Sequence, residues 1–279
     1  MTIFDSHAHF PPETVSEHDA QIERARNAGL AGILAVGGNN ELDTGATSMA
    51  SKFPDFVFLS LGYERDAAME IGTSDGALEK SISDLREQIN SLRSQGVFLR
   101  AIGEIGLDFS RNPSESDKES QIAFFAAQLE LADELELPCT IHSRDADAET
   151  LETIERYGSQ QMRKKGRLGV IHCFTRDKNF ADAAVELGLH IGISGIYTFN
   201  NASDLRGTVG TLPLERLLVE TDCPYLTPAP MRGKPNEPAM VVHTATRMAH
   251  DMQTTPEKIA KITTDNAIKL FALPINRHV

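Results

Sequence analysis

The amino-acid sequence predicts an α/β fold, most simply a single (β/α)8 barrel of the TIM type that ends in a helical tail. Three observations indicate this fold. Short apolar and β-branched runs recur along the chain, glycine or proline bounds the runs, and segments with helical periodicity separate them. One barrel commonly fills a chain of this length, 279 residues, so we expect residues 1–279 to form a single domain.

Eight runs have the character of strands. They begin near Met1, Ala31, Val57, Leu99, Cys139, Gly169, His190 and Leu217. Each run is about four to seven residues long and mostly lacks strict polar alternation, which is typical of parallel strands buried on both faces. Periodicity alone leaves an open doubly wound sheet as the alternative to a closed barrel.

Helical segments are clearest before the fourth and fifth runs. Apolar side chains at steps of three and four form one stripe at Leu78, Ile82, Leu85, Ile89 and Leu92, and another at Ile122, Phe125, Leu129 and Ala132. Gly96, Gly29 and Gly188 each stand where a helix should end before a strand. Thr255 followed by Pro256 predicts a helix start near the C-terminus, so the tail after the eighth run is expected to be helical.

The composition narrows the function. The chain carries 27 Lys and Arg against 40 Asp and Glu, a formal net charge of −13, and this field repels nucleic acid and anionic membranes except where bound metal reverses it locally. Cys139, Cys173 and Cys223 cannot all pair with one another, so a reducing compartment is expected. The N-terminus lacks the basic start and apolar run of a signal peptide. We therefore expect a cytoplasmic protein with no membrane contact and no obligate protein partner.

Residue types that bind metals stand at the ends of five of the eight runs. They are His7 and His9, Glu104, His142, His172 and Asp222. Barrel enzymes place their chemistry at the carboxyl ends of the strands, so these side chains are expected on one face of the molecule. Residues two apart on an extended segment point the same way, which allows His7 and His9 to bind one ion together.

Each candidate ligand alone has an ordinary structural interpretation, such as a backbone hydrogen bond, a salt bridge or a helix cap. Their coincidence at five strand ends favours a metal centre. Six ligands exceed the four of one tetrahedral ion, so we expect two divalent cations with at least one bridging acid. Imidazole and carboxylate ligands suit zinc, manganese or iron, and water ligands also admit magnesium. Cys173 and Cys223 directly follow ligands in extended chain and are expected to face away from them.

The motifs around these residues resemble those of the TatD-type metal-dependent deoxyribonucleases, which are amidohydrolase-like barrels. The segments that carry the resemblance are Asp5-Ser6-His7-Ala8-His9, Gly103-Glu104-Ile105-Gly106-Leu107-Asp108, His142-Ser143-Arg144-Asp145-Ala146, His172-Cys173-Phe174-Thr175, Glu220-Thr221-Asp222-Cys223-Pro224-Tyr225-Leu226-Thr227-Pro228 and Arg232-Gly233-Lys234-Pro235-Asn236-Glu237-Pro238. The resemblance extends over essentially the whole chain. It implies two metal positions, with His7, His9 and Asp222 at one, His142 and His172 at the other, and Glu104 as the bridge.

The sequence departs from the family pattern in places. Where the family usually has Gly-x-His-Pro after the third strand, this chain has Gly62-Tyr63-Glu64-Arg65, which lacks the histidine and adds an acid. Phe109 replaces a frequent tyrosine, and Arg176 replaces a frequent glycine. These changes leave the six metal positions intact and bear on the substrate instead.

The resemblance implies divalent-metal-dependent hydrolysis of DNA, often from the 3′ end, with two ions (Mg, Mn or Zn) that activate a water molecule. One branch of the family hydrolyses ester bonds of mischarged tRNA. Asp222 is expected to orient the water and accept its proton, and Glu104 to hold the metals about 4 Å apart.

Substrate contacts are also expected. Arg144, Arg232 and Lys234 are candidates for binding phosphate, since cationic donors match phosphate oxygens. Tyr63 and Phe109 are candidates for stacking on a base, although packing is the more ordinary interpretation of a single aromatic residue.

Three functions fit the sequence. The first is a metal-dependent nuclease with DNA as substrate. The second is a hydrolase of a smaller amide, lactone or aminoacyl ester, which the net charge of −13 mildly favours. The third is a non-catalytic barrel with a structural metal, and its weakness is that structural zinc closes its shell with four ligands.

Overall fold

The computed structural model describes residues 2–275 of the chain, and its central element is one sheet of eight parallel strands. The strands are β1 (Ile3–Ala8), β2 (Leu30–Val36), β3 (Val57–Leu61), β4 (Leu99–Asp108), β5 (Cys139–Arg144), β6 (Gly169–Ile171), β7 (His190–Ile193) and β8 (Leu217–Val219). They pair in the order in which they occur in the chain. An open doubly wound sheet reverses its strand order at a switch point, so this sequential order excludes that alternative.

The barrel closes where the chain after β8 meets β1. Ala8 and Cys223 form a parallel bridge, and the backbone N–H of Asp222 donates to the carbonyl of His7 at 2.9 Å. Below this point the buried Asp5 carboxylate accepts from the backbone N–H of Thr221 at 2.9 Å and from its hydroxyl at 2.6 Å. The predicted closed barrel is therefore confirmed, and its seam lies beside predicted metal ligands.

Strands β2 to β8 begin within one residue of the predicted positions, and Met1 lies outside the described residues. The predicted strand lengths were wrong in three cases. Strand β4 has 10 residues, because its pairing with β5 continues to Asp108. Strands β6 and β8 have 3 residues each, because the chain leaves the sheet immediately before the segments that carry His172 and Asp222.

Helices surround the strands. They are α1 (His18–Asn27), α2 (Asn40–Lys52), α3 (Arg65–Ile71), α4 (Ala77–Ser94), α5 (Glu115–Glu134), α6 (Asp147–Tyr157), α7 (Gln160–Lys164), α8 (Lys178–Glu186), α9 (Ser203–Val209), α10 (Val241–Asp251) and α11 (Pro256–Phe271). The predicted helical tail is confirmed as α10 and α11, and the Thr255 hydroxyl caps α11 by accepting from the N–H of Lys258 at 3.3 Å. None of the helices within residues 2–275 combines the length and apolar character that a membrane span requires.

A small apolar cluster fills the barrel near the starts of the strands. It joins residues such as Phe4 of β1 and Phe58 of β3 to the end of α11. The ring of Phe4 lies 6.0 Å from that of Phe58 and 6.5 Å from that of Phe271, measured between centroids. Helix α11 thus covers the amino-terminal end of the barrel, while the carboxyl-terminal end holds the polar residues described next.

Candidate metal centre and active site

The structure brings all six predicted ligand residues together at the carboxyl ends of the strands. His7 and His142 lie in the second halves of β1 and β5, and His9, His172 and Asp222 follow β1, β6 and β8. Glu104 was expected at the end of the fourth run, but it is the sixth of the ten residues of β4. Three overlapping groups place one donor atom from each member within 4.8 Å of the others; they are His7, His9 and Glu104; His7, His172 and Asp222; and Glu104, His142 and His172. Segments distant in the chain therefore share one pocket.

The first half of the cluster is built on β1. The Nε2 atoms of His7 and His9 lie 3.2 Å apart, so the two rings do converge as their spacing predicts. Glu104 Oε2 lies 3.5 Å from His7 Nε2 and 3.6 Å from His9 Nε2. Asp222 Oδ1 lies 3.5 Å from His9 Nε2 and 3.9 Å from His7 Nε2. Donors of a tetrahedral zinc ion, each about 2.1 Å from the metal, lie about 3.4 Å from one another, so these separations fit a bound cation.

The second half of the cluster is built on β5 and the end of β6. His142 Nδ1 and His172 Nε2 lie 3.1 Å apart. The other oxygen of the same glutamate, Glu104 Oε1, is 3.4 Å from each of these nitrogens. One carboxylate therefore presents one oxygen to each histidine pair, which is the arrangement that a bridging ligand requires.

The backbone at Gly103 aims Glu104 into the cluster. Gly103 has a φ of 149°, and a Cβ at this position would lie 2.1 Å from Thr140 Oγ1 on β5. Only glycine fits there, so the strand approaches β5 closely just before the bridging residue. Asp222 also has a positive φ of 55°, which is uncommon for a residue with a side chain but less so for aspartate. Its N–H bonds to the His7 carbonyl, and this contact holds the turn.

Two of the histidines are oriented by hydrogen bonds on the ring nitrogen that faces away from the cluster. His9 Nδ1 lies 2.9 Å from the carbonyl of Val36 on β2, so it donates there and leaves Nε2 as a free acceptor. His142 Nε2 lies 3.2 Å from Asp108 Oδ2 at the end of β4. Such partners fix the tautomer that binds a metal.

The charges within the cluster depend on one another. Burial disfavours ionised Glu104, but the charge of His172 and hydrogen bonds from His172 and His7 hold its pKa well below the ordinary value. Burial also disfavours charged His172, yet Glu104 outweighs burial and raises the pKa of His172 to about 9. Burial lowers the pKa of His7 to about 3. Since imidazoles bind metals in the neutral form, a cation that binds His172 displaces a proton.

The cluster forms the base of a cavity of about 480 Å³ that is open to solvent. Arg144, a predicted phosphate contact, lines this cavity together with Arg65 and Arg111. The other two predicted contacts lie outside its lining. The Arg232 guanidinium stacks 4.0 Å above the Phe199 ring and donates to the Thr227 carbonyl at 2.9 Å. The backbone carbonyl of Lys234 accepts from the Thr227 hydroxyl at 2.7 Å.

The two aromatic residues considered for base stacking, Tyr63 and Phe109, pack against other side chains of the protein. The Tyr63 ring packs edge-on against Phe124 at 5.6 Å between centroids, and its hydroxyl donates to the Ser81 carbonyl. Phe109 is half-buried beneath the Lys118 ammonium. Tyr225, by contrast, is 60% exposed and lines the cavity.

Two cysteines were expected to lie in extended chain and to face away from the ligands, and for Cys173 the expected extended conformation was wrong. Its φ of 47° breaks the alternation of an extended chain, so the residue lines the cavity, with its Sγ 3.4 Å from Ser194 Oγ. Cys223 is buried behind the cluster, with Sγ 3.8 Å from the His9 carbonyl oxygen. Cys139, Cys173 and Cys223 are all free thiols.

A parallel barrel with a His, Glu and Asp cluster at the carboxyl ends of its strands defines a metal-dependent hydrolase of the barrel type. The family model described as TatD related DNase matches residues 4–272, and the chain belongs to this family. The predicted family, fold and enzyme class are therefore confirmed.

Individual relatives agree with this assignment. The uncharacterised metal-dependent hydrolase YabD of Bacillus subtilis is 34% identical over 272 residues, which cover 97% of this chain and 99% of YabD. The 3′-5′ ssDNA/RNA exonuclease TatD of a Rahnella strain is 37% identical over 261 residues, 92% of each chain. The crystal structure of YjjV, a TatD homologue from Escherichia coli, matches with a TM-score of 0.82 at 27% identity, over 98% of both chains.

Sequence reasoning missed three residues of the site. Arg65 reaches the cluster from the segment after β3, and the departure from the family pattern at that segment was the available signal. Asp108 ends a motif that carried the resemblance, but the length of β4 was needed to place it beside His142. Tyr225 follows Asp222 closely, yet no pattern distinguishes an exposed aromatic residue from a packed one.

Proposed function

We propose that this protein is a divalent-metal-dependent exonuclease that hydrolyses phosphodiester bonds of single-stranded nucleic acid from the 3′ end. The observation that carries the proposal is the position of Glu104, whose two oxygens face two separate histidine pairs. The name of the Rahnella relative, a 3′-5′ ssDNA/RNA exonuclease, supports the substrate class and polarity. DNA is the substrate we propose first.

We further propose that the cluster holds two cations. His7, His9 and Asp222 would hold one, His142 and His172 the other, and Glu104 would bridge them. Magnesium, manganese and zinc are the candidates, since the donors are mixed nitrogen and oxygen. Bound at this place, two such ions supply an activated water at neutral pH and neutralise charge on the phosphoryl group.

The side chains of the protein have separate tasks in this proposal. Asp222 lies beside His9 and lines the cavity, where it orients the attacking water and accepts its proton. Burial opposes ionisation of Asp222, but the hydrogen bond with His9 keeps its pKa below the ordinary value, so the side chain is ionised at neutral pH. Arg144 binds phosphate at the cavity rim. Arg232 and Lys234 stay predictions from the sequence.

The three free thiols support a further part of the proposal, namely that the enzyme acts in a reducing compartment such as the cytoplasm. No protein partner is needed for the chemistry that we propose.

The test is cleavage of a single-stranded DNA oligonucleotide labelled at its 5′ end by protein first freed of metal with a chelator. We expect no cleavage without metal, and after addition of magnesium, manganese or zinc a ladder of labelled products that shorten from the 3′ end. Glu104→Gln should lower turnover by more than about 100-fold. Loss of a group that only orients a metal ligand usually costs about 10- to 100-fold, and Glu104 is itself a proposed ligand. Glu134→Gln, which alters a surface ion pair with Arg86, is the matched control.

Failure to cleave the oligonucleotide with any of the three metals would overturn the proposed function. If the same protein then hydrolysed a small ester in a metal-dependent way, the smaller-bond hydrolase would replace the nuclease. Full activity of Glu104→Gln would refute the proposed bridge.

A further inference from the structure

Arg65 is a positive side chain placed directly against the bridging carboxylate. It is the first residue of α3 and the last residue of the segment at 62–65 where this chain departs from the family pattern, and its side chain is 24% exposed. Its Nη1 atom lies 3.0 Å from Glu104 Oε1 and 3.1 Å from Glu64 Oε2, and its Nε atom lies 3.5 Å from Asp108 Oδ2. Its Nη2 atom also lies 3.7 Å from Asp66 Oδ2, so four carboxylates surround one guanidinium at the edge of the cluster.

The oxygen that Arg65 contacts is the one that faces the second histidine pair. Glu104 Oε1 lies 3.4 Å from both His142 Nδ1 and His172 Nε2. A cation held by these two nitrogens and this oxygen would repel the guanidinium, because like charges at such short range destabilise each other. Arg65 and a cation at this place thus compete for one carboxylate oxygen.

We propose that Arg65 is a phosphate-binding residue of the active site, and that cation binding at Glu104 releases its guanidinium to the substrate. This inference rests on the proposed function and names a residue of the phosphate subsite. A guanidinium forms two parallel hydrogen bonds to phosphate oxygens, and it keeps its charge at every relevant pH. Arg65 faces the cavity from a deeper position than Arg111 and Arg144, both of which are exposed at the rim.

An arginine can stand beside a cation site because Arg65 has an anionic partner both before and after cations bind. Against Glu104 alone, Arg65 neutralises charge that the protein would otherwise bury unpaired. Once cations supply that charge, the guanidinium needs another anion, and a phosphodiester at the cavity base provides it. Metal loading and substrate binding are then coupled through one side chain.

The test measures two affinities by calorimetry in metal-free wild type, Arg65→Gln and Arg65→Lys. The probes are Mn²⁺ alone and then inorganic phosphate added to the Mn²⁺-loaded protein. We expect Arg65→Gln to bind the second Mn²⁺ about tenfold more tightly, since one neighbouring like charge shifts an ionic equilibrium by about one log unit or more. We expect its phosphate affinity to fall about tenfold or more, the cost of losing a hydrogen bond to a charged group.

Arg65→Lys keeps the charge and loses the planar fork, so its Mn²⁺ affinity should match wild type while its phosphate affinity falls. This variant also guards against a folding defect, because it preserves the ion pair with Glu104. Arg86→Gln removes a comparable arginine from a carboxylate pair on the outer surface, and both affinities should stay unchanged. Thermal unfolding of each variant establishes that it is folded.

The outcomes separate this inference from the proposed function. If wild type cleaves the oligonucleotide and Arg65→Gln equals it in both affinities, the role of Arg65 is refuted and the nuclease stands. A change in Mn²⁺ affinity without a change in phosphate affinity refutes the phosphate role. If wild type cleaves no oligonucleotide, the proposed function fails regardless of what the Arg65 variants bind.

Discussion

The Asp108 carboxylate lies behind His142, on the side away from Glu104. Its Oδ2 is 3.2 Å from His142 Nε2, whereas Nδ1 of the same ring faces the cluster. Burial opposes the ionised form of Asp108, but hydrogen bonds from His142 and Ser110 hold its pKa below the ordinary value. Asp108 therefore accepts a hydrogen bond from His142 at neutral pH and leaves the opposite lone pair for a cation.

We predict that Asp108→Asn weakens metal binding by about 10- to 100-fold, because the amide accepts less strongly and no longer favours one tautomer of His142. Titration of the metal-free protein with Mn²⁺ measures the effect. Asp182→Asn is the control, since Asp182 pairs with Lys178 on the surface of α8, away from the cluster. Equal affinities of the two variants would show that Asp108 does not orient the ligand.

The six candidate ligands could be predicted because both residue type and position after a strand are legible in the sequence. The contacts of Arg65 and Asp108 could not be predicted. They depend on how the Arg65 side chain extends from α3 to Glu104 and Asp108 on β4, which is a tertiary property. The extended conformation expected at Cys173 was wrong for a different reason. Its positive φ follows from the turn after β6, which no local pattern reveals.

Helix α11 stabilises the barrel by covering its amino-terminal end. Phe271 is buried there against Phe4. We predict that Phe271→Ala lowers the free energy of unfolding by about 3–5 kcal/mol, the usual cost of removing a buried phenylalanine ring. Urea denaturation measures it, with Phe98→Ala as control because Phe98 is 53% exposed. Equal losses in the two variants would mean that α11 contributes little to the core.

Strand β7 carries a buried histidine outside the cluster, His190. Burial, and after it the charges of Arg216 and Lys269, lowers its pKa to about 4. The folded protein therefore keeps His190 neutral, while the unfolded chain takes up a proton below its ordinary pKa of about 6.5. The contribution of neutral His190 to the free energy of unfolding is therefore fully present above pH 6.5, and it decreases as the pH falls toward 4.

We predict that His190→Gln reduces this loss of stability by up to about 3 kcal/mol between pH 7 and pH 4. Urea denaturation of chelator-treated protein across that range gives the difference from wild type. His250→Gln, at an exposed position on α10, is the control for loss of a histidine from the surface. A His190→Gln profile parallel to wild type would contradict the assignment.

The starts of the strands and of α11 were predictable because glycine, proline and a helix cap mark them in the sequence. The lengths of the strands were less predictable than their starts. The ends of β4, β6 and β8 depend on pairing with a neighbour and on where the chain turns toward the cluster, and neither is a local property. The choice of a closed barrel likewise needed the contact between Ala8 and Cys223.

At the scale of the whole molecule, the proposed function requires an acidic protein to bind a polyanion. The net charge of −13 opposes approach of nucleic acid, but Arg65, Arg111 and Arg144 line the cavity around the proposed cations. A local positive field of this kind reverses the average field where the chemistry occurs. Under the proposed function, the charge of the surface would therefore limit where nucleic acid binds rather than whether it binds.

The central claim is that Glu104 bridges two cations held by residues from five strand ends. Diffraction at the manganese absorption edge from crystals grown with Mn²⁺ tests it most directly. We predict two anomalous peaks, one shared by His7, His9, Asp222 and Glu104 Oε2, and the other by His142, His172 and Glu104 Oε1. A single peak, or peaks that Glu104 does not contact, would contradict the claim.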